Sequence, residues 1–343
     1  MVNCKYNKLE KILILGSMPF RGCHFGENLY KSFMNLGYEV ENMYAQLLQD
    51  DITNEQYNRY LQRKELYPIS KVLKRLEKKP QLVVVDQIGF GWKNDVNVPV
   101  FYKHNFFKRN PIVNYPTVAL FPHEAVLEYF RDMFVPKWCD IIKELRVMPI
   151  AFDPDHFIIS DEKSIKGISC IGGRENMKQI GKRRELTAVA LVETSRQQVK
   201  KFIKLGLNWI DDGDGDGGGV TDARYREILP NLEALWVLIP FGQYISRRIL
   251  EGMYCKCVCV IKIEDDYHEV LLEKRGFIAG EHYIKINKLR DMVELNKNWN
   301  VDDYKDMIEK AYQLVLENHI YDNRAKEIIE IYEEMKDKNE TST

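Results

Sequence analysis

Residues 171–185, IGGRENMKQIGKRRE, set Arg174, Lys178, Lys182, Arg183 and Arg184 close together directly after a glycine pair. Cations at that density can neutralise a multivalent anion, and glycines let a backbone approach it closely. The bland reading of the same residues is the solvated start of a basic helix. Positive charge in a first helical turn opposes the helix dipole, which tilts the balance towards an anion. A second charged stretch, DDGDGDGGG at 211–219, is its opposite in sign. It cannot cradle a phosphate, because its carboxylates would repel one. As a calcium loop it begins well, with Asp212, Asp214, Asp216 and Gly217 at the first, third, fifth and sixth positions. It fails at the twelfth, where Ala223 stands in place of the bidentate glutamate. A turn without a metal is the expectation.

Other residues sit where strand ends would hold them. Asp86 follows LVVV and could act as a base or hold an acceptor; His123 follows PTVALFP. Helix capping is the rival role for both. In RRILEGMY, Glu251 stands four residues after Arg247, the spacing of a helical ion pair and of an ordinary solvated helix face. Cys255, Cys257 and Cys259 alternate in YCKCVCVIKI, which would put them on one side of a buried strand as small packing residues. Zinc sites want wider spacing and further ligands. KHNFFKRN at 103–110 mixes basic and aromatic residues, yet its shortness favours a loop or edge hairpin over a nucleic-acid surface.

These residues need strands and helices to hold them. KILILGS predicts a strand, ENLYKSFMNLGYEV a helix with Leu29, Phe33 and Leu36 as its apolar stripe, and YEVENMY a second strand. QLVVVDQIGF is apolar on both faces, as a buried parallel strand should be. NVPVFYK and PTVALFP are further short strands. After the proline-bearing RVMPIAFDPDHF the alternation restarts: GISCIGG, LNWIDDG, EALWVLIP and KCVCVIKI as strands, with KRRELTAVALVETSRQQVKKFIKLG, DARYREILPN and FGQYISRRILEGMY as helices. DYKDMIEKAYQLVLEN and NRAKEIIEIYEEMK close the chain as helices before a polar tail. Strands alternating with helices, twice over, predict an α/β protein of two Rossmann-like doubly wound parallel-sheet domains facing a cleft. The expected boundaries are 1–152, 153–320, and a last segment, 321–343, packing back on the first domain.

Composition narrows the class. At 343 residues the chain exceeds what one core usually serves. Hydrophobic residues are 45% and charged residues 29%, with a formal net charge of −1, so no global field pulls the protein towards nucleic acid or an anionic membrane. Seven cysteines at irregular spacing do not form a disulfide framework. The apolar run ILILG is too short for a signal-peptide core or a transmembrane segment, so a cytoplasmic protein is expected.

The second half adds a resemblance. FGQYISRRILEGMYCKCVCVI, GFIAGEHYIKINKLRDMVELNKNW and AYQLVLENHIYDNRAKEIIEIYEE resemble the C-terminal domain of group-1 glycosyltransferases of the GT-B fold, with the spore-maturation-protein-like branch the closest in pattern. RRILEGMYCKC resembles that family's helix-to-strand pattern R-I-F-E-A-L-A-C-G. AFDPDHF resembles the branch's interdomain element, and PTVALFPHE the segment ahead of it. The resemblance implies a hexosyltransferase-like enzyme that moves a sugar from a nucleotide-diphosphate donor, leaning towards retention, with no cofactor and no metal. The nucleotide-sugar is a substrate.

Site residues follow from the same resemblance. Glu251 matches the glutamate that accepts hydrogen bonds from the donor ribose. Many relatives carry a second glutamate where this chain has Gln243, a departure that touches its sugar contact. Arg174, Lys178 and Arg183, with Arg247, would complete donor binding, Arg174 and Arg183 being the matches for the phosphate-gripping cation. His123 would reach the donor sugar, and His123 and Asp86 are the catalytic candidates. In GSMPFRGCHFGENLY the spacing G-x-G-x-x-G fails, which weakens a dehydrogenase reading. Arg21, Gly22 and His24 in that loop become acceptor-side candidates. The acceptor stays open among glycan, protein, small molecule and nucleic acid, and nothing in the sequence sets an oligomeric state. A GT-B-like protein that binds a nucleotide or glycan without turnover is the alternative, and a nucleotide-sugar epimerase is the other enzyme such tandem domains could form.

Overall fold

The computed structural model describes residues 8–15, 25–42, 73–85, 115–121, 124, 127–128, 144–171, 207–210, 222–237, 246–263 and 266–341. The chain divides into two compact units, residues 1–151 with 321–343, and residues 152–320.

The first unit is built on a five-stranded sheet of β1 (Lys11–Leu15), β2 (Glu39–Asn42), β3 (Leu82–Val85), β4 (Thr117–Phe121) and β5 (Glu144–Val147), in the order β2-β1-β3-β4-β5. Every pairing is parallel. LVVV and TVALF are buried at every residue, which is what continuous apolar runs achieve when both sheet faces are covered. The two edge strands, EVEN and ELRV, are instead charged and partly exposed. Charge on an edge discourages pairing with a further strand. The sequence reading missed β5, whose two ionic residues break any apolar pattern; Arg146 there bonds Glu334 at 2.7 Å.

Helix α1 (Phe25–Asn35) ends where Gly37 takes φ +87°. The Tyr38 N–H reaches the Phe33 carbonyl at 3.1 Å and the Gly37 N–H reaches that of Met34 at 3.0 Å. Tyr38 and Phe33 then meet edge to face, 6.4 Å between centroids. This is the Schellman arrangement, and a residue with a Cβ would resist the left-handed conformation it needs. Leu29 and Phe33 of α1 enter one core with Ile12 and Ile14 of β1, and Leu36 packs against it partly buried. The last helix of the chain, Tyr321–Glu340, covers the same core through Tyr321, Ala325, Ile328, Tyr332 and Met335. Those positions recur at helical spacing, a single stripe laid on a sheet whose strands all lie before residue 148.

The second unit repeats the plan. Its strands are β6 (Ile165–Ile171), β7 (Asn208–Ile210), β8 (Leu232–Val237), β9 (Val258–Lys262) and β10 (Ile284–Ile286), all parallel, ordered β10-β9-β8-β6-β7. Counted from the first strand of each unit, the two sheets share one topology. Helices α2 (Asp222–Ile228), α3 (Arg247–Tyr254), α4 (Asp266–Glu273), α5 (Leu289–Lys297) and α6 (Lys305–Asn318) belong to this unit, and α7 (Tyr321–Glu340) follows in the first. The sequence patterns give none of α4, β10 and α5; IKI is too short for periodicity to register.

At the amino ends of β6 and β8 lies a polar knot. A β-bulge sets Lys166 and Gly167 against the single residue Glu233. Gly167, at φ +75°, donates its N–H to Glu233 Oε2 at 2.7 Å, and the Trp299 indole donates to the same oxygen at 3.0 Å. Lys166 meets Oε1 at 2.9 Å. Burial pushes the Glu233 carboxyl up, but these donors outweigh it and hold the group below its ordinary value.

The cysteines correct one detail of the sequence reading. Cys255 is the C-cap of α3 and Cys257 precedes β9, because Lys256 turns the chain at φ +56° before the strand begins; of the three, Cys259 alone is a strand residue. All three are buried as packing residues, with Cys257 and Cys259 turning their thiols to the carbonyls of Leu229 and Ile249 at 3.3 and 3.7 Å. Among the described residues no helix is long and apolar enough to cross a membrane. No group of three or more histidine, cysteine or carboxylate residues among them could hold a metal ion.

Candidate functional site

In a doubly wound sheet the chain leaves its first strand in one direction and later returns to the other side. The crevice outside the carboxyl ends at that reversal is where such folds bind ligands. In the second unit β6 is flanked by β7 and β8, so the reversal falls between β6 and β8. The side chains converging there come from α2 and α3.

Helix α3 starts after the β8 connection, with Ser246 as N-cap, its hydroxyl accepting from the Arg248 N–H at 3.3 Å. Ile249, Leu250 and Met253 bury the helix against the sheet. Gly252 allows the closest approach: a Cβ there would meet Cys259 Sγ and Leu235 Cδ2 at 3.0 Å each. Seating the helix this tightly carries Glu251 inside, where it is 3% exposed.

A buried carboxylate needs partners for its charge. Arg247 supplies one, its Nε lying 2.5 Å from Glu251 Oε1. Tyr225 of α2 supplies another, donating its hydroxyl to Oε2 at 3.0 Å. Tyr225 is itself buried, meets Phe157 edge to face, and lies under the Arg248 guanidinium, 5.6 Å from ring centroid to Cζ. Burial first, and then the charge of Glu251, push the Tyr225 hydroxyl well above its ordinary pKa, so it stays a protonated donor. Arg248 also donates from Nη1 to the carbonyl of Ile171 at 2.7 Å. Ile171 is the last residue of β6, immediately before the Gly-Gly and the cation cluster.

The cluster is thus one carboxylate, two guanidiniums and a phenol hydroxyl, tied through Arg248 to the carboxyl end of β6. It combines an oriented acceptor with excess positive charge. The i,i+4 ion pair of Arg247 and Glu251 is present, but the carboxylate is buried and not on a solvated helix face. Tyr225 and Arg248 were not singled out from sequence. Nothing marks a tyrosine 26 residues before its partner, and only the doubled arginine in RRILEG hinted at a second cation.

Of the residues assigned from sequence, the described structure brings together Arg247 and Glu251. Asp86, His123, Gln243, Arg174, Lys178, Arg183, Arg21, Gly22 and His24 lie outside the described residues, as do the stretches 103–110 and 211–219.

No family model and no curated protein matches the chain. Solved structures do. A glycosyltransferase from Rickettsia africae ESF-5 is similar at TM-score 0.54 and 12% identity, over 96% of this chain and 99% of that one. The sucrose-phosphate synthase from Thermosynechococcus elongatus gives 0.54 and 11%, over 95% and 99%. Anabaena HepE in complex with UDP gives 0.53 and 9%, over 94% and 100%. Likeness at such identities carries the fold: two parallel-sheet α/β domains of GT-B type.

Proposed function

We propose that this protein is a glycosyltransferase moving a sugar from a nucleotide-diphosphate donor to an acceptor without a metal. The observation that carries the reading is Glu251, buried at the sheet reversal of the second unit and oriented from two sides by Arg247 and Tyr225. A fixed carboxylate beside excess cationic charge suits a ribose diol next to a diphosphate. In this reading the second unit holds the donor, with Glu251 accepting from the ribose hydroxyls. Arg174, Lys178 and Arg183, which follow β6, meet the negative charge that builds on the leaving diphosphate. Each unit charge near 4 Å of a phosphate oxygen contributes ~4 kcal/mol at an effective dielectric of ~20, before desolvation costs. Gln243 would contact the sugar, His123 and Asp86 would serve the transfer itself, and Arg21, Gly22 and His24 would meet the acceptor on the first unit. Transfer of a hexose with retention is the form the sequence resemblance favours.

Support for a uridine nucleotide as the first probe comes from Anabaena HepE, a structure of the same fold in complex with UDP. The test is calorimetric titration with UDP and other nucleoside diphosphates, followed by donor hydrolysis over a panel of nucleotide sugars. Glu251→Ala is expected to weaken nucleotide binding about ten-fold with the fold intact, as loss of a hydrogen bond to a charged acceptor would. Unchanged affinity would remove Glu251 from the site. Gln243, standing where relatives of this pattern carry glutamate, favours a second reading in which the nucleotide binds without turnover. Tight binding with no donor consumed would select it.

A further inference from the structure

We infer that Tyr225 is a positioning residue for the donor ribose, acting through Glu251; this rests on the donor-binding reading of the site. A carboxylate can present its lone pairs to a ligand in a fixed direction only if its side-chain torsions are held. Glu251 is held on both oxygens, by Arg247 at Oε1 and by the Tyr225 hydroxyl at Oε2. The two holds differ. Arg247 is on the same helix and 30% exposed at its side chain, so solvent and ligand compete for it. Tyr225 comes from a different helix, is buried, and is fixed in its turn by a T-shaped contact with Phe157 and by Arg248 over its ring.

Arg248 gives this arrangement a reach beyond the carboxylate. The guanidinium that covers the Tyr225 ring also grips the Ile171 carbonyl, the last of β6. The orientation of the acceptor and the carboxyl end of β6 are therefore referenced to one guanidinium. A ligand with a diol and a diphosphate a fixed distance apart is the kind of molecule such a reference would suit. Holding a group in its productive direction before binding spares the cost of ordering it afterwards.

The consequence is specific to ribose hydroxyls. Tyr225→Phe removes the donor and keeps the ring, its T-shaped contact and its cation. Calorimetry would compare UDP, GDP, ADP and CDP with their 2′,3′-dideoxy counterparts, on wild type and variant, with thermal unfolding recorded alongside. The expected result is an affinity about five-fold lower for the preferred ribonucleotide, no change for its dideoxy form, and so a smaller ribose preference. Equal losses for both forms would mark Tyr225 as merely structural and overturn the inference, as would no loss at all. If Tyr225→Phe does not fold, Tyr225→Met, which fills the space without a donor, faces the same comparison. Wild-type protein that binds none of the diphosphates would overturn this inference together with the donor-binding reading. Wild type that prefers ribose while the variant is unaffected would overturn this inference alone.

Discussion

Glu233 offers the sharpest physical test of the second unit. Replacing it with alanine leaves the Gly167 N–H and the Trp299 indole N–H without their acceptor, bonds now 2.7 and 3.0 Å long. Each stranded donor costs ~1–2 kcal/mol at an interior site that water can partly reach. The Lys166 ion pair adds little, since that lysine side chain is 73% exposed and an exposed bridge contributes ~0–1 kcal/mol. Glu233→Ala is therefore expected to destabilise the unit by roughly 3 kcal/mol, a urea midpoint lower by about 1.5 M at a slope of ~2 kcal/mol/M. Glu233→Gln keeps an acceptor oxygen and should lose roughly 1 kcal/mol. The pH dependence has a definite sign. A carboxyl held below its ordinary value in the fold stabilises the protein above the unfolded carboxylate pKa of ~4.3, and this is lost as pH falls through the depressed folded value. The gap between wild type and Glu233→Gln should therefore be constant near neutrality and close on acidification. The assay is urea denaturation followed by tryptophan fluorescence at several pH values. A loss under 1 kcal/mol for Glu233→Ala, or a gap indifferent to pH, would refute the reasoning.

Two further outcomes are expected. Cys170, Cys255, Cys257 and Cys259 are buried thiols whose pKa values burial pushes up, to about 12 for Cys170 and Cys257, so mass spectrometry should find them unalkylated in native protein and labelled after denaturation. Tyr332→Ala should cost ~3–5 kcal/mol, because that ring is fully buried in the first core, and hydrogen exchange should then rise in β1 while β8 keeps its protection.

Particular elements show why some of this was legible in advance. LVVV, VALF and ALWV are legible as strands because a strand covered on both faces carries apolar residues in succession. ELRV and IKI did not, since their place is set by the neighbour they pair with and not by their own pattern. Glu251 and Arg247 were visible together because a helix brings i and i+4 onto one face, a relation that sequence spacing encodes.

By itself, then, the sequence determined the alternation of strand and helix, the doubly wound class and one ion pair, all consequences of local periodicity. Only the tertiary structure decided that Glu251 is buried, that Tyr225 donates to it, and that Arg248 joins that tyrosine to the end of β6. Those relations cross between elements 26 and 77 residues apart. No local rule fixes such distances; they exist because packing α2 and α3 on one sheet leaves a buried charge that must find its donors wherever the fold puts them.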